Sequence, residues 1–218
     1  GGKTGDASLV DARYSDGGVW PVVDMDNHAQ RLTDGDLETA WAPYDNGTYH
    51  AALDFIHPDD VVLDIGAGDL RFACQAAIRA RRVVAIEQRP ELLSGLLKGF
   101  RPSNLAVICG DALAVPFPSG ITVGVLLMRH CCHFAGYVAR LRAVGCMRLI
   151  TNARWGMDVE CISLAPQPSF VSVALGWYAC LCGAVNFLPG LPDAITSTLL
   201  QQIRSVEFCP ACRPAACP

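Results

Sequence analysis

Charge is scarce in this chain of 218 residues: Asp, Glu, Lys and Arg make up only 17%, against 51% hydrophobic residues. That balance excludes an intrinsically disordered chain, which is apolar-poor and highly charged. Sustained heptads are absent, which excludes a coiled coil. An apolar leader is missing as well, because residues 1–18 are polar, and the Gly1-Gly2 start without Met reads as a processed or engineered end. Nor is there an unbroken apolar span. The stretch Cys161–Pro192 carries no charge, yet Pro166, Pro168, Gly176, Gly183, Pro189 and Gly190 punctuate it. It reads as buried strands and turns rather than a membrane helix. No internal repeat is visible. Cysteine, by contrast, is abundant: eleven residues, an odd number, several inside apolar runs (Cys74, Cys109, Cys146). These read as buried free thiols in a reducing compartment, so the expectation is a cytoplasmic protein without a membrane partner.

The net charge of -4 is unevenly spread: residues 1–69 sum to -11 and residues 70–218 to +7. The whole is not basic enough to bind nucleic acid by charge alone, but the later part offers a basic face.

Residues 1–40 are rich in Asp and Gly and read as a loose or partly ordered acidic arm. From Thr48 to Ile56, Tyr49, Ala52, Leu53 and Ile56 recur at helical spacing. Val61–Ile65 is a nearly all-apolar strand of the kind covered on both faces. Gly66-Ala67-Gly68 turns the chain, and Asp69 is placed to cap a helix to about Ala80. Arg82–Glu87, Leu105–Cys109, Ile121–Met128 and Cys146–Thr151 are further strands, with helices from Pro90 to about Gly99 and over His130–Val144. This alternation predicts an α/β fold with a doubly wound, mostly parallel sheet. Val159–Ala165 and Phe170–Trp177 then read as an antiparallel hairpin at the sheet's end. The chain divides into the arm (1–40), a ligand-binding domain (41–177) and a small Cys-rich tail (178–218).

Three carboxylates stand at three successive strand ends. Asp64 precedes the Gly turn, Glu87 follows 23 positions later, and Asp111 lies in Cys109-Gly110-Asp111-Ala112. A Gly turn between strand and helix lets backbone approach a ligand. A carboxylate ending the second strand accepts both hydroxyls of a ribose, and the crevice at the strand ends is where open α/β sheets bind ligands.

The stretches Val61–Gly68, Val83–Glu87 and Gly110–Ala112 resemble the class I S-adenosylmethionine-dependent methyltransferases, whose fold is Rossmann-like. The resemblance covers about residues 49–151. It implies S-adenosylmethionine as cofactor, S-adenosylhomocysteine as product, and a methyl acceptor that is a small molecule or RNA. It implies that Gly66, Ala67 and Gly68 lie beside the methionine part and that Asp64 holds the turn and reaches the cofactor's amino group. Glu87 would bind the ribose with Gln88 following it, and Asp111 and Ala112 would bind the adenine. Met128 would line the site from the fourth strand.

The sequence departs from that family in three places. Leu70 stands where a third Gly is common. Gly120-Ile121-Thr122-Val123 lacks an acidic residue at the start of the fourth strand. No Asn-Pro-Pro-Tyr type motif follows that strand, which argues against the DNA and glutamine amino-methylating enzymes that use it; Met128-Arg129-His130 occupies the place. An NAD(P)-type oxidoreductase is the alternative, weakened because Arg71 stands where G-x-G-x-x-G needs its last Gly.

His130 is the candidate general base, with Tyr49 near the expected mouth and Arg129 placed to hold an anionic acceptor. Cys131 and Cys132 lack the Pro-Cys signature of cytosine C5 methylation and read as helical thiols.

Cys180-x-Cys182 and Cys209-x-x-Cys212, separated by 26 residues, can supply four thiolates to one structural zinc ion in an element that loosely resembles a zinc ribbon. Disulfides and free thiols are the alternatives. A non-catalytic nucleotide-binding module with a zinc-ribbon interaction surface is the competing function.

Overall fold

The computed structural model describes residues 12–13, 19–20, 47–94, 102–129, 131–154 and 158–212. Most of the acidic arm and His130 therefore lie outside the described residues. Ala12–Arg13 (β1) and Val19–Trp20 (β2) pair antiparallel. A helix over 47–53 (α1) leads to Val61–Ile65 (β3). Then come Arg71–Arg79 (α2), Arg82–Glu87 (β4), Pro90–Ser94 (α3) and Leu105–Cys109 (β5). Val123–Leu126 (β6), Phe134–Ala143 (α4), Arg148–Thr151 (β7) and Glu160–Ser163 (β8) follow.

These strands form a six-stranded sheet in the order β5-β4-β3-β6-β7-β8, with only β8 antiparallel to its neighbour. The order reverses between β3 and β6, as in a doubly wound sheet. Side chains alternate between the faces as the two-residue period requires. Leu63, Ile65, Val84, Ile86, Leu126 and Leu149 pack with Phe134, Tyr137, Val138 and Leu141 of α4. Val62, Val83, Ala85, Val123, Val125 and Ile150 pack with Ala52 and Leu53 of α1 and Phe72, Ala73, Ala76 and Ala77 of α2. Each fully buried Val, Leu or Ile contributes roughly 1.5–3 kcal/mol, so burial on both faces dominates the stability of this layer. Gly124 is required by contact: a Cβ there would lie 2.7 Å from Leu141 Cδ1 of α4.

At the amino ends of β3, β6 and β7, buried Asp60 accepts from Thr122 Oγ1 at 2.7 Å, from Arg148 Nη2 at 2.6 Å and from the His57 amide at 2.8 Å. Burial works against this charge, but the His57, Arg148 and Thr122 hydrogen bonds outweigh it and hold the carboxyl below its ordinary range. The cluster ties three strands at the end of the sheet away from the Gly turn.

The expected hairpin of 159–165 with 170–177 does not form. Its first half becomes β8 and pairs with β7, while Phe170–Ser172 is a single 3₁₀ turn. Pro166 and Pro168 prevent a tight return between the two segments. Gly176–Cys180 (β9) instead opens a second sheet with Val185–Leu188 (β10, antiparallel) and Ile203–Val206 (β11, parallel), in the order β10-β9-β11. A one-turn helix, Ser197–Leu200 (α5), precedes β11. The Cys-rich sheet rests on the large domain through Arg142 of α4. This residue donates to Glu207 Oε1 at 2.6 Å and to the Leu164 and Ala165 carbonyls at 2.7 and 3.0 Å.

Candidate functional site

The β3 strand ends in the Gly turn because the turn's amides are captured by β4. Gly66 and Ala67 donate to the Ile86 carbonyl at 2.9 and 3.0 Å. Gly66 and Gly68 adopt left-handed backbone, φ 73° and 56°, open to glycine without strain. A Cβ on Gly66 would meet Met128 Sδ at 2.9 Å, so Met128 closes over the turn, whereas a Cβ on Gly68 would meet nothing within 4 Å. Leu70 also adopts left-handed backbone (φ 66°) and forms the N-cap of α2. A left-handed Leu costs about 1 kcal/mol, and its burial in the α2 core offsets that cost. Asp69 is thus one residue short of the cap position. Its Oδ1 still accepts the Arg71 amide at 3.2 Å, and its Oδ2 holds Arg71 Nε at 2.5 Å.

Two carboxylates meet beneath this turn. Asp64 and Glu87 are 4% and 3% exposed, and their charges interact. Glu87 Oε2 accepts the Gly68 amide at 2.8 Å, while Oε1 accepts both the Arg89 amide and Arg89 Nε at 2.9 Å. Burial opposes the Glu87 charge, but the Arg89 side chain, the Arg89 amide and the Gly68 amide outweigh it, so the carboxyl sits below its ordinary range. Asp64 goes the other way. Burial, reinforced by the Glu87 charge, pushes its carboxyl up to about 7, and its Oδ2 is buried without a hydrogen-bond partner. Such an orphaned acceptor costs about 1–3 kcal/mol and calls for a partner.

Asp111 is exposed just past β5, where its Oδ1 accepts the Leu113 amide at 2.8 Å, and Ala112 behind it is buried. Gln88 is exposed beside Glu87. Asp64, Gly66, Ala67, Gly68, Glu87, Gln88, Asp111, Ala112 and Met128 thus share the carboxyl end of the β5-β4-β3-β6 layer.

The structure fits an adenosyl cofactor in its donor set. A spare acceptor stands at Asp64, open space at Gly68, and Glu87 Oε2 retains a second lone pair, while Oε1 is taken up by the Arg89 amide and Nε. The Arg89 side chain that covers Glu87 is 56% exposed, so it can swing aside. Sequence reasoning missed Arg89, although its position two residues after Glu87 is the signal that would have found it.

The candidate catalytic residues are less closely gathered. Tyr49 packs against Phe72 at the start of α2 (ring centroids 5.6 Å apart), with the Arg71 guanidinium 6.0 Å from its ring. Arg129 is exposed beyond β6, and α4 starts at Phe134 rather than at His130, with exposed His133 as its N-cap. Asn152 and Arg154, which the sequence reading passed over, lie just past β7 at the same end of the sheet and are 6% and 2% exposed.

In the second sheet, Cys180, Cys182, Cys209 and Cys212 bring their Sγ atoms within 4.8 Å of one another. The close contacts are 3.5 Å (Cys180–Cys212), 3.7 Å (Cys182–Cys209) and 3.9 Å (Cys209–Cys212). A tetrahedral ion with bonds of about 2.3 Å to sulfur needs sulfur atoms roughly 3.8 Å apart, so the cluster has zinc-sized edges. All four are free thiols in this structure.

Residues 48–151 match the family model of ribosomal RNA adenine dimethylase. A probable ribosomal RNA small subunit methyltransferase A from Methanosarcina acetivorans is 44% identical over 64 residues, 29% of this chain and 24% of that protein. The protein of the same name from Thermococcus onnurineus is 46% identical over 59 residues, 27% of this chain and 22% of that protein. The chain thus spans about a quarter of the length of the curated relatives it matches. Among solved structures, a dimethyladenosine transferase from Plasmodium falciparum aligns at TM-score 0.40 and 21% identity, covering 48% of this chain and 40% of that one.

Proposed function

We infer that this chain, whose residues 48–151 belong to the class I S-adenosylmethionine-dependent methyltransferase family, transfers a methyl group from S-adenosylmethionine to a base of ribosomal RNA. The observation that carries the reading is the buried Asp64–Glu87 pair beneath a left-handed Gly turn, one carboxylate ionised and the other with an orphaned oxygen. When bound, the cofactor supplies a sulfonium whose methyl carbon is electrophilic. Glu87 accepts the ribose hydroxyls once Arg89 swings aside, and Asp64 Oδ2 takes the cofactor's ammonium. Gly66, Ala67 and Gly68 give the methionine part close backbone approach, with Met128 as the wall opposite. Asp111 accepts the adenine amine and Ala112 packs beside it, with Gln88 at the rim. Tyr49 walls the mouth from α1, and Arg129 faces the side where a phosphate would enter.

The protein's contribution to catalysis is placement: a nucleophile held in line, roughly 3 Å from the methyl carbon, with water excluded. The family match favours this over the dinucleotide oxidoreductase. The four cysteines hold a structural zinc ion, since four thiolates leave no open position for chemistry. An RNA acceptor also agrees with a cytoplasmic location and with the positive balance of residues 70–218.

The test is methyl transfer from radiolabelled S-adenosylmethionine to small-subunit ribosomal RNA, followed by digestion and mass identification of the nucleoside. Label is expected in an RNA base. Cofactor binding without label in RNA, but with label in a small-molecule pool, would contradict the acceptor.

A further inference from the structure

Four buried side-chain polar atoms lack a hydrogen-bond partner among the described residues, and three of them sit at one end of the large sheet. They are Asp64 Oδ2 on β3, and Asn152 Oδ1 and Arg154 Nη1 just past β7, with β6 between the two strands. The cofactor reading accounts for the first and leaves the other two unexplained. Arg154 is 2% exposed, and Glu160 of β8 takes its Nε at 2.5 Å and its Nη2, so Nη1 alone is left over. Asn152 is 6% exposed, and its backbone neighbours are fixed: Thr151 Oγ1 donates to the Leu126 carbonyl at 2.8 Å and accepts the Ala153 amide at 3.0 Å. A buried acceptor and a buried donor are thus held two residues apart beside residues 127–129. That stretch follows β6 and carries no side-chain acceptor of its own for an amine.

Resting on the methyltransferase reading, we propose that Asn152 and Arg154 read the amino edge of the acceptor base. Asn152 Oδ1 accepts from the exocyclic amine that takes the methyl group, and Arg154 Nη1 donates to the ring nitrogen beside that amine. On the Watson–Crick edge adenine (N6 amine beside N1) and cytosine (N4 amine beside N3) present such a donor–acceptor pair, whereas the guanine amine has the protonated N1 as its neighbour on that edge and uracil has no amine. In the transfer, the amine lone pair forms the N–C bond as the C–S bond of the sulfonium donor breaks. The sulfur keeps that electron pair as a thioether, and the proton of the methylated ammonium passes to bulk solvent as the methylated base leaves the site. Asn152 orients the amine and takes no proton. The side chain thus supplies from β7 the acceptor that is missing after β6.

The experiment is fluorescence anisotropy of the full chain with a short adenine-containing single-stranded RNA and with the same RNA carrying purine, which lacks only the amine. A cytosine and 2-pyrimidinone pair runs alongside. The wild type is expected to prefer the amine-bearing member of at least one pair by about tenfold, the worth of one hydrogen bond. Asn152→Ala is expected to bind both members alike, to bind S-adenosylhomocysteine as the wild type does in calorimetry, and to melt no lower. Arg154→Lys, which keeps a cation opposite Glu160, is expected to bind the RNA more weakly at unchanged cofactor affinity. A wild type without preference in either pair overturns the proposal. So does a preference that survives in both variants, whether or not their melting temperatures fall, because Arg154–Glu160 would then be a strand staple only. A wild type that prefers the amine but binds no S-adenosylhomocysteine removes the cofactor reading instead.

Discussion

Asp64→Asn isolates a carboxyl held far from its ordinary range. The Asp64 carboxyl is raised from an ordinary 3.8 to about 7, first by burial and then by the Glu87 charge. Below about pH 4 the folded and unfolded chains both carry the proton, so the group has no effect on stability. Between about 4 and 7 the unfolded chain releases the proton and the folded chain retains it, so stability falls as pH rises. At about 1.4 kcal/mol per pH unit, the loss accumulates to roughly 4 kcal/mol and is flat above about pH 7. The asparagine variant has no such titration. Its advantage over the wild type should grow from near zero at about pH 4 to a few kcal/mol at about pH 8, measured by urea unfolding of both proteins across that range. Glu87 is shifted the other way, so its stabilisation is present above its ordinary value and lost as pH falls, and it is common to both proteins. The same titration governs the ligand: S-adenosylhomocysteine should bind the wild type more tightly as pH rises through about 7, and bind the variant weakly with little pH dependence. A stability difference independent of pH, or one that shrinks as pH rises, would refute a buried, proton-retaining Asp64.

Other perturbations follow from the same structure. Gly66→Ala forces a left-handed Ala and a Cβ 2.9 Å from Met128 Sδ, so a loss of about 1–2 kcal/mol in thermal unfolding and a weaker cofactor isotherm are expected. Arg148→Met strips buried Asp60 of its cation while the His57 and Thr122 hydrogen bonds persist, and should cost about 2–4 kcal/mol, read by chemical denaturation at neutral pH. Among the described residues the second sheet buries a small cluster, Val173, Tyr178, Cys180, Val206 and Cys209 with four half-buried neighbours, too small to hold itself together. Elemental analysis of reduced protein should therefore find about one zinc per chain, and a chelator should speed hydrogen exchange across 176–212 while leaving 61–151 protected.

The parallel layer was readable because its signals are local. Val61–Ile65, Arg82–Glu87 and Leu105–Cys109 are mainly apolar runs, the first buried on both faces and the last a half-buried edge strand, and their observed bounds match the expected ones. The strand ends followed, and with them Asp64, Glu87 and the Gly turn. The region after Thr151 was misread because pairing there is decided by tertiary contacts. Arg142 and Glu207, 65 positions apart, dock the second sheet onto α4, and no local periodicity announces that β9 pairs with β11 rather than with the segment before it. The cysteine spacing carried the cluster because two short pairs imply one site whatever the intervening fold. Asn152 and Arg154 were invisible for a different reason: a polar residue past a strand looks like loop until its burial and its missing partner are known.

The central claim is that the carboxylates at neighbouring strand ends hold an adenosyl group. Titration calorimetry of S-adenosylhomocysteine into the wild type and into Glu87→Ala, with melting curves to confirm that both are folded, tests it most directly. A measurable isotherm is expected for the wild type and a loss of about 1.5–3 kcal/mol for the variant, the worth of hydrogen bonds to a charged acceptor. Equal affinities in two folded proteins would contradict it.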